Sequence, residues 1–265
     1  MSPTVPPAIE WAALLVSVGA FTVASVSDLK TREVSNRIWI VYGPLALLLF
    51  IARVAFSLED APLLLVSAAA TVIVAFLLFQ FGAMGGADSK ALICLGLALP
   101  VPLGIVSSWW QVPFPLYPYP IAVLANSFLL SIALGFFILL RNVIRGISFH
   151  GFESESLLRK LMIVFTSYKT SFNVLQSSTY LYPAEQVDLV ESKPVRHLRL
   201  FSSAEEEREK LVSGLENYKA QGLFSDGVWV TPGLPHLVFL TASLAIVLLV
   251  GDLLMWMFFR IVGYS

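Results

Sequence analysis

The chain reads as an all-α polytopic membrane protein: six transmembrane helices, with a small cytoplasmic α+β insert between helices five and six. Three observations predict this. Hydrophobic residues make up 57% of the 265 residues, charged residues only 13%, and the mean hydropathy is +0.79, values that a soluble globular chain of this length does not reach. The apolar residues fall into long runs, and the charged ones gather between Arg141 and Asp226. The net charge of −1 singles out no partner class, and no nucleic acid is expected as a partner.

Runs of roughly 20 residues, enough to cross about 30 Å of hydrocarbon as helix, fall at about 9–27, 38–58, 61–81, 89–109, 120–140 and 233–258. Helix is the expected form because lipid offers the backbone no hydrogen-bond partner. The first run follows Met1 to Pro7, a stretch with neither the basic residues nor the cleavage site of a secretory signal, so it is expected to be a retained span. The fourth is the least regular, since Pro100 and Pro102 must kink or end it. After it, the stretch to Pro120, with Trp109, Trp110, Tyr117 and Tyr119, reads as an interfacial loop. The chain thus divides into a membrane body at 1–141, a soluble insert at 142–230, and a sixth span with a short C-terminus at 231–265.

Within the insert the clearest element is a helix from about Ala204 to Gln221. Ser203 is placed to cap it, Glu206 to complete a capping box, and Gly222 to end it. Tyr180 to Leu200 and Val228 to Val230 read as extended segments. Cys94, the single cysteine, lies in an apolar run and is expected to be a packing residue, which leaves neither disulfide nor thiolate cluster.

Fifteen of the seventeen basic residues fall on one side of the expected membrane: Lys30, Arg32 and Arg37, then Lys90, then Arg141 and ten in the insert. By the positive-inside rule that side is cytoplasmic, which puts both termini outside a cell membrane. Arg53 and Arg260 fall near the outer face, close enough to a helix end to snorkel.

Two acids then stand out. Asp28 ends the first span and Asp88 begins the fourth, so both belong to the cytoplasmic interface, where the active site is expected. Taken singly, Asp28 can be an interfacial residue pairing with Lys30 or Arg32, and Asp88 a helix N-cap favoured by the dipole. Asp88 follows Gly82, Gly85 and Gly86, which let the backbone bend and approach closely. Two carboxylates about 3 Å apart cannot both ionise comfortably, so one holds a proton while the other acts as general base on a water between them. That is peptide-bond hydrolysis without a metal or other cofactor. His150, His197 and His236 show no metal-ligand spacing and read as structural, and no serine sits in a nucleophile elbow. Asp252, about nineteen residues into the last run, should approach the outer surface and hydrogen-bond a neighbouring span, with Asn126 as a partner of the same polar kind.

At these residues the chain resembles the archaeal preflagellin and prepilin peptidases, within the type IV prepilin peptidase group of membrane aspartic proteases. The first match runs from Asp28 through Leu29-Lys30-Thr31-Arg32-Glu33 to Asn36, and the second is Gly85-Gly86-Ala87-Asp88-Ser89-Lys90, similar to the GxGD motif followed by lysine. Val228 to Pro235 and Gly251-Asp252 extend the likeness. Ala87 stands where the motif has its second glycine. The resemblance implies an endopeptidase that cuts the short basic leader from flagellin-like or pilin-like precursors at the cytoplasmic face. It implies Asp28 and Asp88 as the catalytic pair, with Gly85, Gly86 and Ala87 shaping their loop. Lys30, Arg32, Glu33, Asn36 and Lys90 are the expected contacts to substrate or membrane lipid, and acids of the insert such as Glu205 to Glu207 either attract the leader or form a solvated helix face. A proton- or cation-coupled transporter and a non-catalytic scaffold for a pilus-like machine are the competing readings; the first predicts acids at the bilayer midplane. The sequence leaves the oligomeric state open.

Overall fold

The absence of water in a bilayer forces each apolar run to close its own backbone hydrogen bonds, and helices account for nearly all of the runs. The computed structural model describes residues 5–31, 33–106, 110, 117–190, 193–200, 205–233 and 235–263. In chain order the first helices are α1 (Pro7–Thr31), α2 (Asn36–Phe56), α3 (Ala61–Gln80), α4 (Gly86–Ala98) and α5 (Tyr119–Arg145). Then come α6 (Leu157–Thr166), β1 (Tyr168–Thr170), α7 (Phe172–Ser177), β2 (Leu181–Pro183), β3 (Glu185–Val190) and β4 (Lys193–Leu198). The chain closes with α8 (Glu205–Lys219), β5 (Val228–Pro232), α9 (His236–Leu249) and α10 (Leu253–Val262). Helices α1, α2, α3 and α5 are long and apolar enough to cross a membrane, and α9 with α10 makes a fifth when the bent pair is taken as one span.

Two compact units result. One comprises the residues up to Ser131 together with those from Pro235 onward; the other runs from Ile132 to Leu234. In the first unit, α4 packs against α2, α3 and α9, and α1 against α2 and α9. Alanines and Gly96 allow the close approach: a side-chain carbon at Gly96 would meet Thr71 Cγ2 of α3 at 2.8 Å. Cys94 is buried in this core, as expected of a packing residue.

The fourth apolar run, about 89–109, is interrupted where Pro100 and Pro102 are expected to kink or end it. Helix α4 has only 13 residues and stops at Ala98, ahead of Pro100 and Pro102. At 1.5 Å per residue it rises about 20 Å, short of the hydrocarbon thickness. The irregular backbone that follows is buried at Leu99 and Leu103, and side chains satisfy it. Glu10 accepts from the Gly104 and Ile105 amides at 3.1 and 3.0 Å, and Ser67 donates to the Pro100 carbonyl. Buried backbone that leaves a helix needs such partners.

The last run is likewise broken rather than continuous over 233–258. Gly251 takes φ 114° and the pair α9 and α10 bends by 58°. Asp252 caps α10, accepting from the Leu254 and Met255 amides at 3.1 and 3.2 Å. It also accepts from Asn126 Nδ2 at 2.9 Å, the partner expected, and from the Tyr117 hydroxyl at 2.5 Å. Asn126 Oδ1 in turn accepts from the Leu253 amide at 3.0 Å. One carboxylate thus answers the donors that the break exposes.

Arg53 does not snorkel. It is 2% exposed at the end of α2, and Glu10 is close enough to act on it electrostatically, so the guanidinium is drawn toward an interior carboxylate instead of the outer surface.

In the second unit, β5 is the central strand of an antiparallel sheet of order β1-β5-β2, with Tyr168 opposite Val230 and Pro183 also opposite Val230. Strands β3 and β4 form a hairpin pairing Glu185 with Leu198 and Val190 with Lys193. The segments expected to be extended are therefore strands. Trp229 of β5 is buried and stacks on Phe149 at 5.3 Å. Helix α8 begins at Glu205 and ends before Gly222, whose φ is 76°. The expected cap Ser203 and the side chains of Glu205 to Glu207 lie outside the described residues.

Arg196 locks this unit. It reaches both oxygens of the fully buried Glu185 at 2.7 and 3.0 Å, Asp226 at 2.7 Å and the Gly227 carbonyl at 2.8 Å. Removing one member of a buried pair strands the other charge at a cost of about 3–5 kcal/mol. Arg196→Ala is therefore expected to destabilise this unit by about that amount, read as faster amide exchange across β3, β4 and β5 with exchange in α1 and α3 unchanged.

Candidate active site

The last turn of α1 and the first turn of α4 meet at one end of the first unit, and each carries an acid. Asp28 is half-buried, one turn from the end of α1. The chain after it is held by local bonds: Ser27 Oγ donates to the Glu33 carbonyl at 2.7 Å, and Thr31 Oγ1 donates to the Ser27 carbonyl at 2.9 Å. Ser35 then caps α2, accepting from the Arg37 amide.

Asp88 lies in the first turn of α4, outside the helices that pass as spans, with its side chain 14% exposed. Gly85 is the N-cap residue, in extended conformation at φ −68° and ψ 158°. The Gly85 amide donates to the Asp88 carboxylate, and a side-chain carbon on Gly85 would come 3.0 Å from Asp88 Oδ2. Glycine at 85 thus leaves the carboxylate room to fold back over its own helix end. Ala87 is inside α4 and packs against the core. Its helical backbone needs no positive φ, so alanine fits where the motif has its second glycine.

Burial, then the charge of Asp28, raise the Asp88 pKa to about 7, against the pull of the Gly85 hydrogen bond. At neutral pH such a carboxyl is poised between its two protonation states. Asp28 is thereby close enough to be felt as a like charge.

A third group joins them. His236, the first residue of α9, places Nδ1 3.8 Å from Asp88 Oδ2. Its ring leans on Phe128 at 5.6 Å, and Nε2 is 3.3 Å from Ser127 Oγ. The Ser127 hydroxyl donates to the Leu124 carbonyl at 2.7 Å, so Ser127 Oγ is left to accept from Nε2–H. A neutral His236 then turns the lone pair of Nδ1 toward Asp88. Without metal-ligand spacing, this histidine reads in the sequence as structural. Its signal was position: it opens an apolar run at the same expected surface as Asp28 and Asp88.

The remaining expected contacts are more peripheral. Lys90 Nζ donates to Asn36 Oδ1 at 2.7 Å, tying α4 to the start of α2, and both residues are exposed. Lys30 and Glu33 are exposed, and Arg32 lies outside the described residues. Among the described residues no three His, Cys, Asp or Glu side chains are gathered closely enough to hold a metal ion.

Residues 15–140 match the family model described as the type IV leader peptidase family, and residues 159–253 match one described as Archaeal Peptidase A24 C-terminus Type II. The chain is 24% identical to a preflagellin peptidase of Methanocaldococcus jannaschii, over 94% of this chain and 98% of the relative. It is 27% identical to preflagellin peptidases of Methanococcus maripaludis and Methanococcus voltae, in each case over 87% of this chain and 91% of the relative.

The coupling between the two acids has a direct spectroscopic readout. Removing a neighbouring negative charge favours ionisation, so in Asp28→Asn the infrared carboxyl band of Asp88 is expected to disappear at lower pH than in the parent, where its midpoint is near 7.

Proposed function

Because the chain belongs to the type IV leader peptidase family, we propose that it is a membrane endopeptidase that removes the short basic leader from preflagellin-like and prepilin-like precursors, using Asp28 and Asp88 as an acid pair. The observation that supports the mechanism is that Asp88, partly buried at the start of α4, feels the charge of Asp28 at one end of the first unit. Asp88, with its pKa raised to about 7, holds the shared proton and hydrogen-bonds the scissile carbonyl. Asp28 takes a proton from a water, whose oxygen attacks the carbonyl carbon while Asp88 transfers its proton to the carbonyl oxygen. Collapse of the tetrahedral diol breaks the C–N bond, Asp28 returns a proton to the leaving amine, and Asp88 regains its own. His236, with Nδ1 3.8 Å from Asp88 Oδ2, borders the pair.

In this reading the chain crosses a cell membrane six times: α1, α2, α3, the part of α4 beyond Asp88 with the buried segment after it, α5, and the bent pair α9 and α10. The basic side is cytoplasmic by the positive-inside rule, with both termini outside and the acid pair at the inner interface. A precursor with a cationic leader and an apolar helix lies along the spans with its cleavage bond at that interface. Lipid phosphate is the better partner for Lys30 and Lys90, since a basic leader is repelled by them. Residues 142–230 form the cytoplasmic insert between spans five and six. A transporter reading draws less support, because Asp28 and Asp88 sit at helix ends rather than at mid-membrane.

Either Asp28→Asn or Asp88→Asn is expected to abolish precursor cleavage in membranes while leaving the protein abundant; two variants that process a class III signal peptide at the parental rate would refute the reading. The pH dependence has a definite sign. Asp88 works protonated, so activity is present below its raised pKa and is lost as pH rises through about 7. A cleavage assay across pH in detergent or vesicles reads that loss.

A further inference from the structure

Helix α6 is apolar on a side that no part of its own unit covers. Ile163 and Val164 face inward, packing with Phe152, Ala184, Leu198 and Trp229. Yet Leu157 is 73% exposed, Leu158 65%, Leu161 50% and Met162 42%. At 100° per residue these four form one stripe together with Phe165. Basic side chains mark its margins: Arg159, paired with Glu155 at 2.7 Å, on one edge, and Lys160 on the other. A ten-residue helix buried on one face and apolar on another must meet something other than water.

Its attachment to α5 identifies that something. Asn142 Nδ2 donates to the Val164 carbonyl at 2.9 Å and to the Ser167 carbonyl at 2.7 Å, fastening the C-terminal end of α6 to α5. Phe165 packs edge-on against Phe136 at 5.6 Å, and its carbonyl would stand 3.4 Å from a side-chain carbon on Gly135. Gly135 and Phe136 lie nine to ten residues before the end of α5, roughly 14 Å back along the helix. Helix α5 has 27 residues, about 40 Å in length, of which about 30 Å spans hydrocarbon. The end of α6 therefore touches α5 at or below the lipid boundary. Helix α5 leaves Phe136, Phe137, Leu140, Val143 and Ile144 exposed, and Phe136 joins this apolar face to the α6 stripe through Phe165.

We propose that α6 is an interfacial helix: its Leu157, Leu158, Leu161 and Met162 stripe lies in the headgroup and acyl boundary of the bilayer that α5 crosses, with Arg159 and Lys160 at the phosphate level. The geometry is that of an amphipathic segment lying in the membrane plane, and the basic margins suit an anionic leaflet. The insert is then held against lipid at a second place besides its two chain connections.

The test uses the full chain in vesicles of phosphatidylcholine and phosphatidylglycerol. Single cysteines at Leu158, Leu161, Arg159 and Lys160, in a Cys94→Ala background, carry a spin label, and its relaxation by oxygen is compared with that by a water-soluble nickel chelate. The oxygen-to-nickel ratio is expected to be several-fold higher at 158 and 161 than at 159 and 160. Equal access of nickel to all four positions would mean a wet face and overturn the proposal. Weak relaxation by both agents at 158 and 161 would mean that protein, such as a second copy of this chain, covers the stripe, and would overturn it as well.

Discussion

A hydrogen bond from Ser25 Oγ to the Leu237 carbonyl, 3.0 Å long, joins the end of α1 to the start of α9. Thr241 reinforces it, lying 2.6 Å from Ser25 Oγ and donating to the Phe21 and Leu237 carbonyls. Lipid offers these hydroxyls nothing, so they turn inward and staple the two helices. Asp28 lies one turn beyond Ser25, and His236 immediately precedes Leu237. The same staple that satisfies two small polar side chains therefore brings the acid and the imidazole to one end of the unit, where α4, packed against α9, delivers Asp88.

The proposed chemistry would follow from the same exclusion of water. An isolated surface aspartate is ionised at neutral pH and has little use as a proton donor. Asp88, partly buried and beside a like charge, is lifted into the neutral range, where one carboxyl can donate while its partner accepts. The glycine at 85 leaves space for that carboxylate and supplies the amide that holds it. Farther away, Glu10 and Asp252 show what a buried acid does when its task is structural: each is spent on backbone amides at a helix interruption.

Much of this was legible in the residues. Asp28 and Asp88 stood out because each ends or begins an apolar run, and Asp252 with Asn126 because both are polar within such runs. The resolved breaks were less legible. Pro100 and Pro102 announced a kink, but only Glu10, ninety-odd positions earlier in the chain, explains how irregular backbone survives there. Arg53 was assigned to the surface because a lone cation near a helix end usually snorkels; an interior carboxylate reversed that, and sequence spacing cannot show the encounter. His236 was passed over since isolated histidines are mostly structural, and its place beside Asp88 depends on long-range packing of α9. The double-sided apolar character of α6 is plain in its residues once the buried face is known, but without that face the run reads as ordinary core.

The proposed mechanism needs the side chains of Asp28 and Asp88 to come together between α1 and α4. Replacing both by cysteine in a Cys94→Ala background and exposing membranes to a mild oxidant tests it most directly. A disulfide, or a cross-link with a short bifunctional thiol reagent, is expected to form within one chain, with both thiols labelled from the same side of the membrane. Labelling of the two cysteines from opposite sides, or failure of even the short reagent to bridge them, would contradict the account.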